Sequence, residues 1–262
     1  MSPAIRQAAA IARALEGRVV NRPKSGEATQ VKAAMTIADS AAQEALLVPL
    51  LEHFPAVRLE AEEDTPTVCQ FPSTGDTRVV IDPIDGTLHA YLEAGGPYAV
   101  MIGLAIRNRY EAALIALPRE GLFFDAVRGE GARIARELGA PEPATMGRSG
   151  RRVLVSHELP EGVREHLEAL GYETLEGCGG AVALAPLIPG IRAGLRIART
   201  APSISIRGRI GALIAEEAGA LLRCETGEPF PRPLGAPARA LIVASDPDDL
   251  RALQDALGAA AG

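Results

Sequence analysis

Two stretches near the start of the chain carry apolar side chains at every third or fourth position. Over residues 4–16 this spacing predicts an amphipathic helix, which the glycine at position 17 is suited to end. A second helix is predicted over residues 39–53, with a kink at Pro49 because proline removes one backbone hydrogen bond. Residues 22–34 contain proline, glycine and several polar side chains, and therefore predict a loop.

The middle of the chain has short apolar runs separated by turn-forming residues, a pattern typical of strands. The predicted strands cover residues 57–59, 78–82, 98–107, 110–117 and 121–127. A short polar turn at residues 107–109 joins the third run to the fourth, so these two are expected to pair as an antiparallel hairpin. Residues 65–77 contain two prolines and a glycine and predict a connecting loop.

Strand and helix patterns alternate in the last part of the chain. The predicted elements are strands over 152–155 and 240–244, helices over 160–170, 208–218 and 246–257, and an apolar element over 181–188. Residues 140–150 contain two prolines and two glycines, which predicts a boundary between an N-terminal α+β half, residues 1–140, and a C-terminal α/β half, residues 150–262. This order of elements predicts a layered α/β fold.

The run Asp-Pro-Ile-Asp-Gly-Thr, residues 82–87, gives the strongest indication of chemistry in the chain. It follows a predicted buried strand, and its turn lets Asp82, Asp85 and the Ile84 carbonyl converge on one point. Oxygen ligands suit a hard cation such as Mg²⁺, and the Thr87 hydroxyl is placed to orient a metal-bound water. The alternative is a turn without chemistry, because Asp-Pro and Asp-Gly pairs are common turn formers.

A second acidic cluster follows the predicted strand over 57–59. It consists of Glu60, Glu62, Glu63 and Asp64. A solvated run of charge is the usual explanation of such a cluster. The alternative is that two strands ending in carboxylates lie side by side and together hold one or more divalent ions.

The chain resembles the inositol monophosphatase-like family of Mg²⁺-dependent, Li⁺-sensitive phosphatases. Four segments carry the resemblance: 35–39 (V-T-x-x-D in the family), 61–63 (G-E-E), 82–87 (D-P-I-D-G-T, unchanged) and 98–132 (the strand-rich middle, ending at 126–132 in the Y-x-A-x-x-G-x-G-A turn). The resemblance covers roughly residues 1–250 and is strongest before residue 132. It implies the family's five-layer αβαβα sandwich, with the active site where the two halves meet.

The resemblance also implies roles for the matching positions. It implies a Mg²⁺ site with four ligands: Glu62, Asp82, the Ile84 carbonyl and Asp85. The catalytic residues would be Thr87, Asp39 and Glu62, with Thr87 holding the attacking water and Asp39 polarising Thr87. The substrate phosphate would be bound by the backbone amides of Gly86 and Thr87.

The chain departs from the family pattern at two acidic positions. Ala33 replaces the first acid of the segment that ends at Asp39, and Arg207 falls where the family carries a third metal-binding Asp, counting back from Glu217. One hypothesis is that Arg207 replaces a cation and binds the substrate phosphate, which arginine can do bidentately. The other is that the site is degenerate and binds a phosphorylated ligand without efficient turnover.

Arg207 belongs to an arginine-rich stretch in an otherwise acidic chain. The other members are Arg192, Arg196, Arg199 and Arg209. A solvated surface segment is an equally good explanation of such a stretch. Thr200 falls near a place where members of the family often carry an acid for sugar hydroxyls, which argues against inositol phosphate as substrate.

Composition and charge exclude some classes of binding partner. The net charge of −6 and an aromatic content of 3% without tryptophan argue against nucleic-acid binding. The sequence shows no membrane span and no signal peptide, so a cytoplasmic location is expected. Its three cysteines and four histidines lack the spacing of a zinc site.

The sequence therefore predicts a Mg²⁺-dependent phosphatase for a small phosphorylated metabolite such as a sugar or inositol phosphate, and allows a homodimer. The competing interpretation is a catalytically degenerate member of the family that binds such a ligand. A purely structural protein would not need acids and a threonine in this arrangement.

Overall fold

Two β-sheets run through the part of the chain that the computed structural model describes, residues 2–147, 149–157, 159–198 and 201–259. The first sheet has seven strands in chain order: β1 (Arg58–Glu60), β2 (Thr77–Asp85), β3 (Ala99–Ile106), β4 (Arg109–Leu117), β5 (Leu122–Val127), β6 (Gly131–Arg136) and β7 (Glu142–Pro143). β1 is parallel to β2, and every later pair is antiparallel. The predicted hairpin of β3 and β4 is confirmed.

The second sheet has five strands. They are β8 (Arg152–Ser156), β9 (Glu173–Gly177), β10 (Ile191–Ile197), β11 (Leu221–Arg223) and β12 (Ala240–Ala244). Their order across the sheet is β11, β12, β10, β8, β9, with β9, β8 and β10 parallel. β12 is antiparallel to both of its neighbours.

Helices cover the outer faces of both sheets and fill the space between them. They are α1 (Pro3–Leu15), α2 (Gln30–Ala33), α3 (Ile37–His53), α4 (Glu161–Ala169), α5 (Gly179–Ala183), α6 (Ile210–Glu217) and α7 (Pro247–Ala259). α1 and α3 pack on the outer face of the first sheet, α5 and α6 lie between the sheets, and α4 and α7 cover the second sheet. This is the expected five-layer αβαβα sandwich.

The second helix begins two residues before its predicted start. Thr36 is the N-cap of α3: its hydroxyl accepts a bond from the Ala38 N–H, while the Asp39 carboxylate accepts the Thr36 N–H at 2.7 Å. This reciprocal capping satisfies backbone groups that would otherwise be orphaned at the helix start. Pro49 lies inside α3, and the kink expected there stays a prediction.

The sequence prediction missed five strands, β6, β7, β9, β10 and β11, and it placed α2 inside a loop. The two longest missed strands of the second sheet are β9 and β10. Both carry charged side chains, Glu173 and Glu176 in β9 and Arg192 and Arg196 in β10, which obscure the apolar pattern. The element predicted over 181–188 is the end of α5 followed by a 3₁₀ turn, Ala185–Leu187.

One apolar core reaches across both halves of the described chain. It includes Val80 and Phe124 of the first sheet, Leu154 of the second, and Ile214 of α6 between them. The change of sheet falls between β7 and β8, inside the predicted boundary at 140–150. The division into two domains stays a prediction, because the core does not stop at this boundary. None of the described helices has the length and apolarity to cross a bilayer.

Candidate active site

The Asp-Pro-Ile-Asp-Gly-Thr run forms the end of β2 and the turn that follows it. Asp82 pairs with Met101 of β3 and Asp85 with Ala99, so β2 carries one extra residue between the two acids. In a regular strand, residues three apart point to opposite faces. A bulge of this kind bends the strand and re-aims its side chains, so both acids can face one cleft.

Gly86 ends the strand in a conformation that other residues rarely adopt. Its φ of +88° lies in the left-handed region, and a Cβ there would come within 2.7 Å of the Cys178 Cβ and 3.0 Å of the Ala90 Cβ. A π-helical turn, Thr87–Leu92, starts at the next residue. Glycine at this position therefore lets the chain reverse tightly against α5 and places Thr87 beside the acids.

Thr87 is tied to the start of α3 by a buried hydrogen-bond chain. Its hydroxyl lies 2.9 Å from Asp39 Oδ1 and 2.8 Å from the Ile84 carbonyl, and donates to one of the two at a time. Asp39 Oδ2 accepts from the Thr36 hydroxyl and N–H. Burial raises the pKa of the fully buried Asp39, although its bonds from Thr36 and Thr87 favour the ionised form. The threonine oxygen is thus held in a fixed position at the cleft.

The second acidic cluster follows β1, the parallel neighbour of β2. Parallel strands end at the same edge of a sheet, so Glu62 and Asp82 lie side by side. Lys24 from the loop before α2 lies 3.6 Å from Glu62 and 3.0 Å from Glu63. The side-chain amide of Gln43, in α3, donates to the Glu63 carbonyl and accepts the Glu63 backbone N–H. Most of this cluster is therefore structured rather than a solvated run.

Asp82 is the most perturbed carboxyl group of the site. Burial raises its pKa well above the usual range, the Glu62 and Asp85 carboxylates raise it further, and Arg207 lowers it. Its Oδ1 atom is buried and has no hydrogen-bond partner among the described residues. A buried carboxylate oxygen without a donor is costly, which indicates that a cation or proton is needed there.

Asp85 and Arg207 complete the acidic end of the cleft. Asp85 Oδ2 accepts the Gly180 N–H of α5 at 2.5 Å. Arg207 begins a 3₁₀ turn, Arg207–Arg209, and its Nε lies 3.8 Å from Asp82 Oδ2. Burial lowers the pKa of Arg207, but the attraction of Asp82, Glu62 and other acids raises it by more. Arg207 therefore supplies a permanent positive charge beside Asp82.

These residues line one cleft of about 450 Å³ between the two halves. Its first wall carries Lys24, Glu62, Asp82, Asp85 and Thr87, and its second wall is formed by described residues between Arg196 and Gly208. The sequence analysis assigned eight residues to the site, and seven of them border this cleft. The eighth, Asp39, lies behind Thr87. Within the described ranges, no three His, Cys, Asp or Glu side chains are arranged to hold a metal ion. The metal set of Glu62, Asp82, Ile84 and Asp85 stays a prediction.

The arginine-rich stretch divides into two kinds of residue. Arg192 pairs with Asp246 and Asp249. Arg209 is 3% exposed and donates to backbone carbonyls, including those of Pro231 and Pro233. These two support the fold, whereas Arg196 and Arg207 face the cleft. Arg199 and Thr200 lie outside the described residues.

Sequence reasoning missed three features of the site. They are the Lys24 ion pairs, the Gly180 N–H that holds Asp85, and the position of Arg196 in the cleft, apart from Arg192 and Arg209. Lys24 and Arg196 were visible as cations, but only tertiary packing shows which cation faces the cleft. His89 and His157, in contrast, stack on each other with ring centroids 4.8 Å apart, and neither lines the cleft.

The sequence of residues 2–183 matches the model of the inositol monophosphatase family. This match includes the strand, the turn and the helix start that build the first wall of the cleft. The chain belongs to the inositol monophosphatase family. The family match ends at residue 183, before β10 and Arg207, so the second wall lies outside it.

Individual related proteins match a shorter stretch of this chain than the family does. The histidinol-phosphatase of Chlorobaculum parvum is 34% identical over 98 residues, which are 37% of this chain and 36% of that protein. The Nus factor SuhB of Pasteurella multocida is 30% identical over 100 residues, 38% of this chain and 36% of that protein. The matched stretch thus spans little more than a third of the length of these relatives.

Solved structures of the inositol monophosphatase family share the whole fold. An IMPase from Thermotoga maritima superposes with a TM-score of 0.74 at 16% identity, over 97% of this chain and 95% of that chain. The extragenic suppressor protein suhB from Bartonella henselae gives a TM-score of 0.75 at 18% identity, over the same shares. At 16% and 18% identity, these superpositions show a shared fold and nothing more.

Proposed function

We propose that this protein is a Mg²⁺-dependent phosphatase that hydrolyses a small phosphomonoester with water. Membership of the inositol monophosphatase family supports phosphatase activity in general. The observation that carries the proposal is the Asp39–Thr87 hydrogen bond of 2.9 Å beside the buried, unpartnered Oδ1 of Asp82. A polarised hydroxyl and a buried oxygen that needs a cation or a proton thus belong to residues of the same cleft, which supports the proposal.

The residues fit Mg²⁺ in their chemistry. Oxygen ligands are the ones Mg²⁺ prefers, and it keeps several waters, so a few carboxylates suffice. Glu62, Asp82, Asp85 and the Ile84 carbonyl would hold it, with Asp85 keeping one oxygen on the Gly180 N–H. When bound, Mg²⁺ lowers the pKa of a coordinated water and offsets charge on the phosphoryl group.

The chain's own groups orient the reactants. When the Thr87 hydroxyl donates to Asp39, its oxygen lone pairs are free to accept a hydrogen bond from the attacking water. The Gly86 and Thr87 amides would hold the phosphate at the start of the π-helical turn. Arg207 would bind a phosphate oxygen while it stays near Asp82, since a guanidinium has donors for both.

The competing function is a binding protein that has lost efficient hydrolysis. The Arg207–Asp82 contact of 3.8 Å favours it, because the guanidinium puts a positive charge beside a carboxylate that a second metal ion would need. An arginine cannot ligate a metal and repels a nearby cation. Asp39 and Thr87 favour hydrolysis, because binding alone does not need a polarised hydroxyl.

Phosphate release from a panel of sugar, inositol and nucleotide monophosphates distinguishes the two functions. We expect turnover by the wild type, and a strong loss in Arg207→Asp with partial retention in Arg207→Lys. A wild type that binds these esters without releasing phosphate would establish the binding function. A sharp gain of activity in Arg207→Asp would show that Arg207 does not replace a cation.

The substrate is proposed only as a class. Two structurally similar proteins, SaIMPase-II with 2'AMP bound and Staphylococcal IMPase-I in complex with products, support a small phosphorylated molecule as the ligand of this chain. For this chain we propose a sugar or inositol phosphate-like metabolite. A cytoplasmic location, a homodimer and the absence of nucleic-acid and membrane partners stay predictions.

A further inference from the structure

Arg196 is a cation of the cleft that the proposed hydrolysis does not use. It lies near the end of β10, on the second wall, opposite the acids of the first wall. The family match ends at residue 183 and does not include this position.

The Arg196 guanidinium fits between two glycines from different elements. A Cβ on Gly179, the first residue of α5, would lie 1.8 Å from Arg196 Nη1 and 2.2 Å from its Cζ. A Cβ on Gly208 would lie 2.5 Å from the same Nη1. These distances are far below a van der Waals contact, so the guanidinium occupies space that two side chains would otherwise fill. Its position is thereby restricted before any ligand binds.

Arg196 also has spare hydrogen-bonding capacity. Among the described residues it has no ion pair, and its one hydrogen bond runs from Nη1 to the Gly208 carbonyl at a long 3.5 Å. In the same cleft, Lys24 is paired with Glu62 and Glu63, and Arg207 faces Asp82. A guanidinium has five N–H donors, so most donors of Arg196 lack a protein partner.

The rest of the described second wall offers little to a polyol. Ser203 Oγ donates to the Ala238 carbonyl and accepts the Ala238 N–H, and Ser205 Oγ accepts the Gly208 N–H. Ile197 and Ile204 are apolar parts of this wall. Apart from Arg207, which faces Asp82, the described part of this wall presents Arg196 among apolar side chains and bonded hydroxyls. Such a cation suits an acidic group better than several sugar hydroxyls.

We propose that Arg196 binds a second anionic group of the substrate, a carboxylate or a second phosphate, on the part that leaves as the alcohol. A phosphate held by the Gly86 and Thr87 amides on the first wall directs the remainder of the ester toward the second wall. The inference rests on the proposed function and narrows its substrate to acidic phosphomonoesters. Arg196 is then a specificity residue, distinct from the groups that hold the scissile phosphate.

The test uses two esters that differ in one group. 2-Phosphoglycerate has a carboxylate where glycerol 2-phosphate has a hydroxymethyl group. We expect the wild type to favour 2-phosphoglycerate in kcat/KM, and Arg196→Gln to reduce this preference about tenfold or more, mostly through KM. Arg196→Lys should keep part of it. Arg251→Gln, on the exposed face of α7, is the matched control and should keep all of it.

A glycine variant tests the same residue without replacing it. Gly179→Ala should displace the guanidinium, because the added Cβ would lie 1.8 Å from its Nη1, and so reduce the preference as Arg196→Gln does. Gly258→Ala is the control, because a Cβ there meets no atom within 4 Å.

Three results would overturn the inference. They are a wild type without preference, an equal rise of KM for both esters in Arg196→Gln, and full preference in that variant. An arm with glycerol 1,2-bisphosphate, which has a second phosphate and no carboxylate, separates the two anion classes. The better ligand of this ester and 2-phosphoglycerate identifies the group that fits. If the wild type hydrolyses neither ester, the proposed function fails, and calorimetric affinities of the same esters then decide the inference on the same criteria.

Discussion

At the scale of single residues, the central feature is that Asp39 serves the helix and the site together. One carboxylate oxygen caps α3 through Thr36, and the other accepts from Thr87. Because the Thr36 N–H at the start of α3 holds the Asp39 carboxylate in place, the Thr87 hydroxyl that bonds this carboxylate is held in a position set by α3. The Thr-x-x-Asp pattern at residues 36–39 was visible in the sequence, but its link to Thr87 needs the fold.

Replacing the Thr87 hydroxyl by a methyl group tests this link. Thr87→Val keeps the shape of the side chain, and we expect kcat to fall roughly 10²- to 10⁴-fold, the range for loss of a proton-transfer group. Thr87→Ser restores the hydroxyl and should retain most activity. Steady-state phosphate release measures both. Equal activity of Thr87→Val and wild type would remove Thr87 from the catalytic residues.

At the scale of elements, the site depends on how β2 ends. The bulge between Asp82 and Asp85 and the left-handed Gly86 turn the chain into the π-helical turn. The sequence predicted the turn from Pro83 and Gly86. It did not predict the bulge or the π-helical turn, because both arise from pairing with β3 and packing against α5. β9 and β10 were missed for a different reason: their charged side chains obscure the apolar pattern of a strand.

Gly86→Ala should destabilise the protein and the site together. A non-glycine residue at φ +88° costs about 1–3 kcal/mol of unfolding free energy, and contact with Cys178 and Ala90 adds to it. Gly129 provides the control: its φ is +80°, but a Cβ there meets no atom within 4 Å. Chemical denaturation should therefore show a larger loss for Gly86→Ala than for Gly129→Ala. Equal losses would mean that packing against α5 is unimportant.

At the scale of the whole molecule, the two halves meet along more than the cleft. His157, just after β8 of the second sheet, stacks on His89 of the π-helical turn and bonds Glu176 through Nδ1 at 3.0 Å. Its Nε2 is buried and has no partner within the described part of the chain. The layered architecture was predictable from the order of elements, whereas this junction was not, because neither histidine belongs to a recognisable motif.

This junction predicts a loss of stability in acid. Burial lowers the pKa of His157 below its ordinary value of 6.5, His89 lowers it further, and Glu176 and Asp85 oppose this. The unfolded chain then binds a proton more readily than the folded protein. The contribution to stability is complete above pH 6.5 and decreases as the pH falls below it.

Thermal unfolding between pH 8 and pH 5 measures the effect. We expect His157→Gln to lose less stability over this range than the wild type. His53→Gln, at an exposed position, should follow the wild type. Parallel curves for the wild type and His157→Gln would show that His157 does not titrate with folding.

The central claim is that the acids at the end of β2 support hydrolysis with Mg²⁺. Its most direct test is the initial rate of phosphate release as a function of Mg²⁺ concentration, in the wild type and in Asp82→Asn. We predict a saturable rise with Mg²⁺ in the wild type and a loss of at least about a hundredfold in the variant, since metal ions supply several kcal/mol of transition-state stabilisation. Release that is independent of Mg²⁺, or unchanged in Asp82→Asn, would contradict the claim.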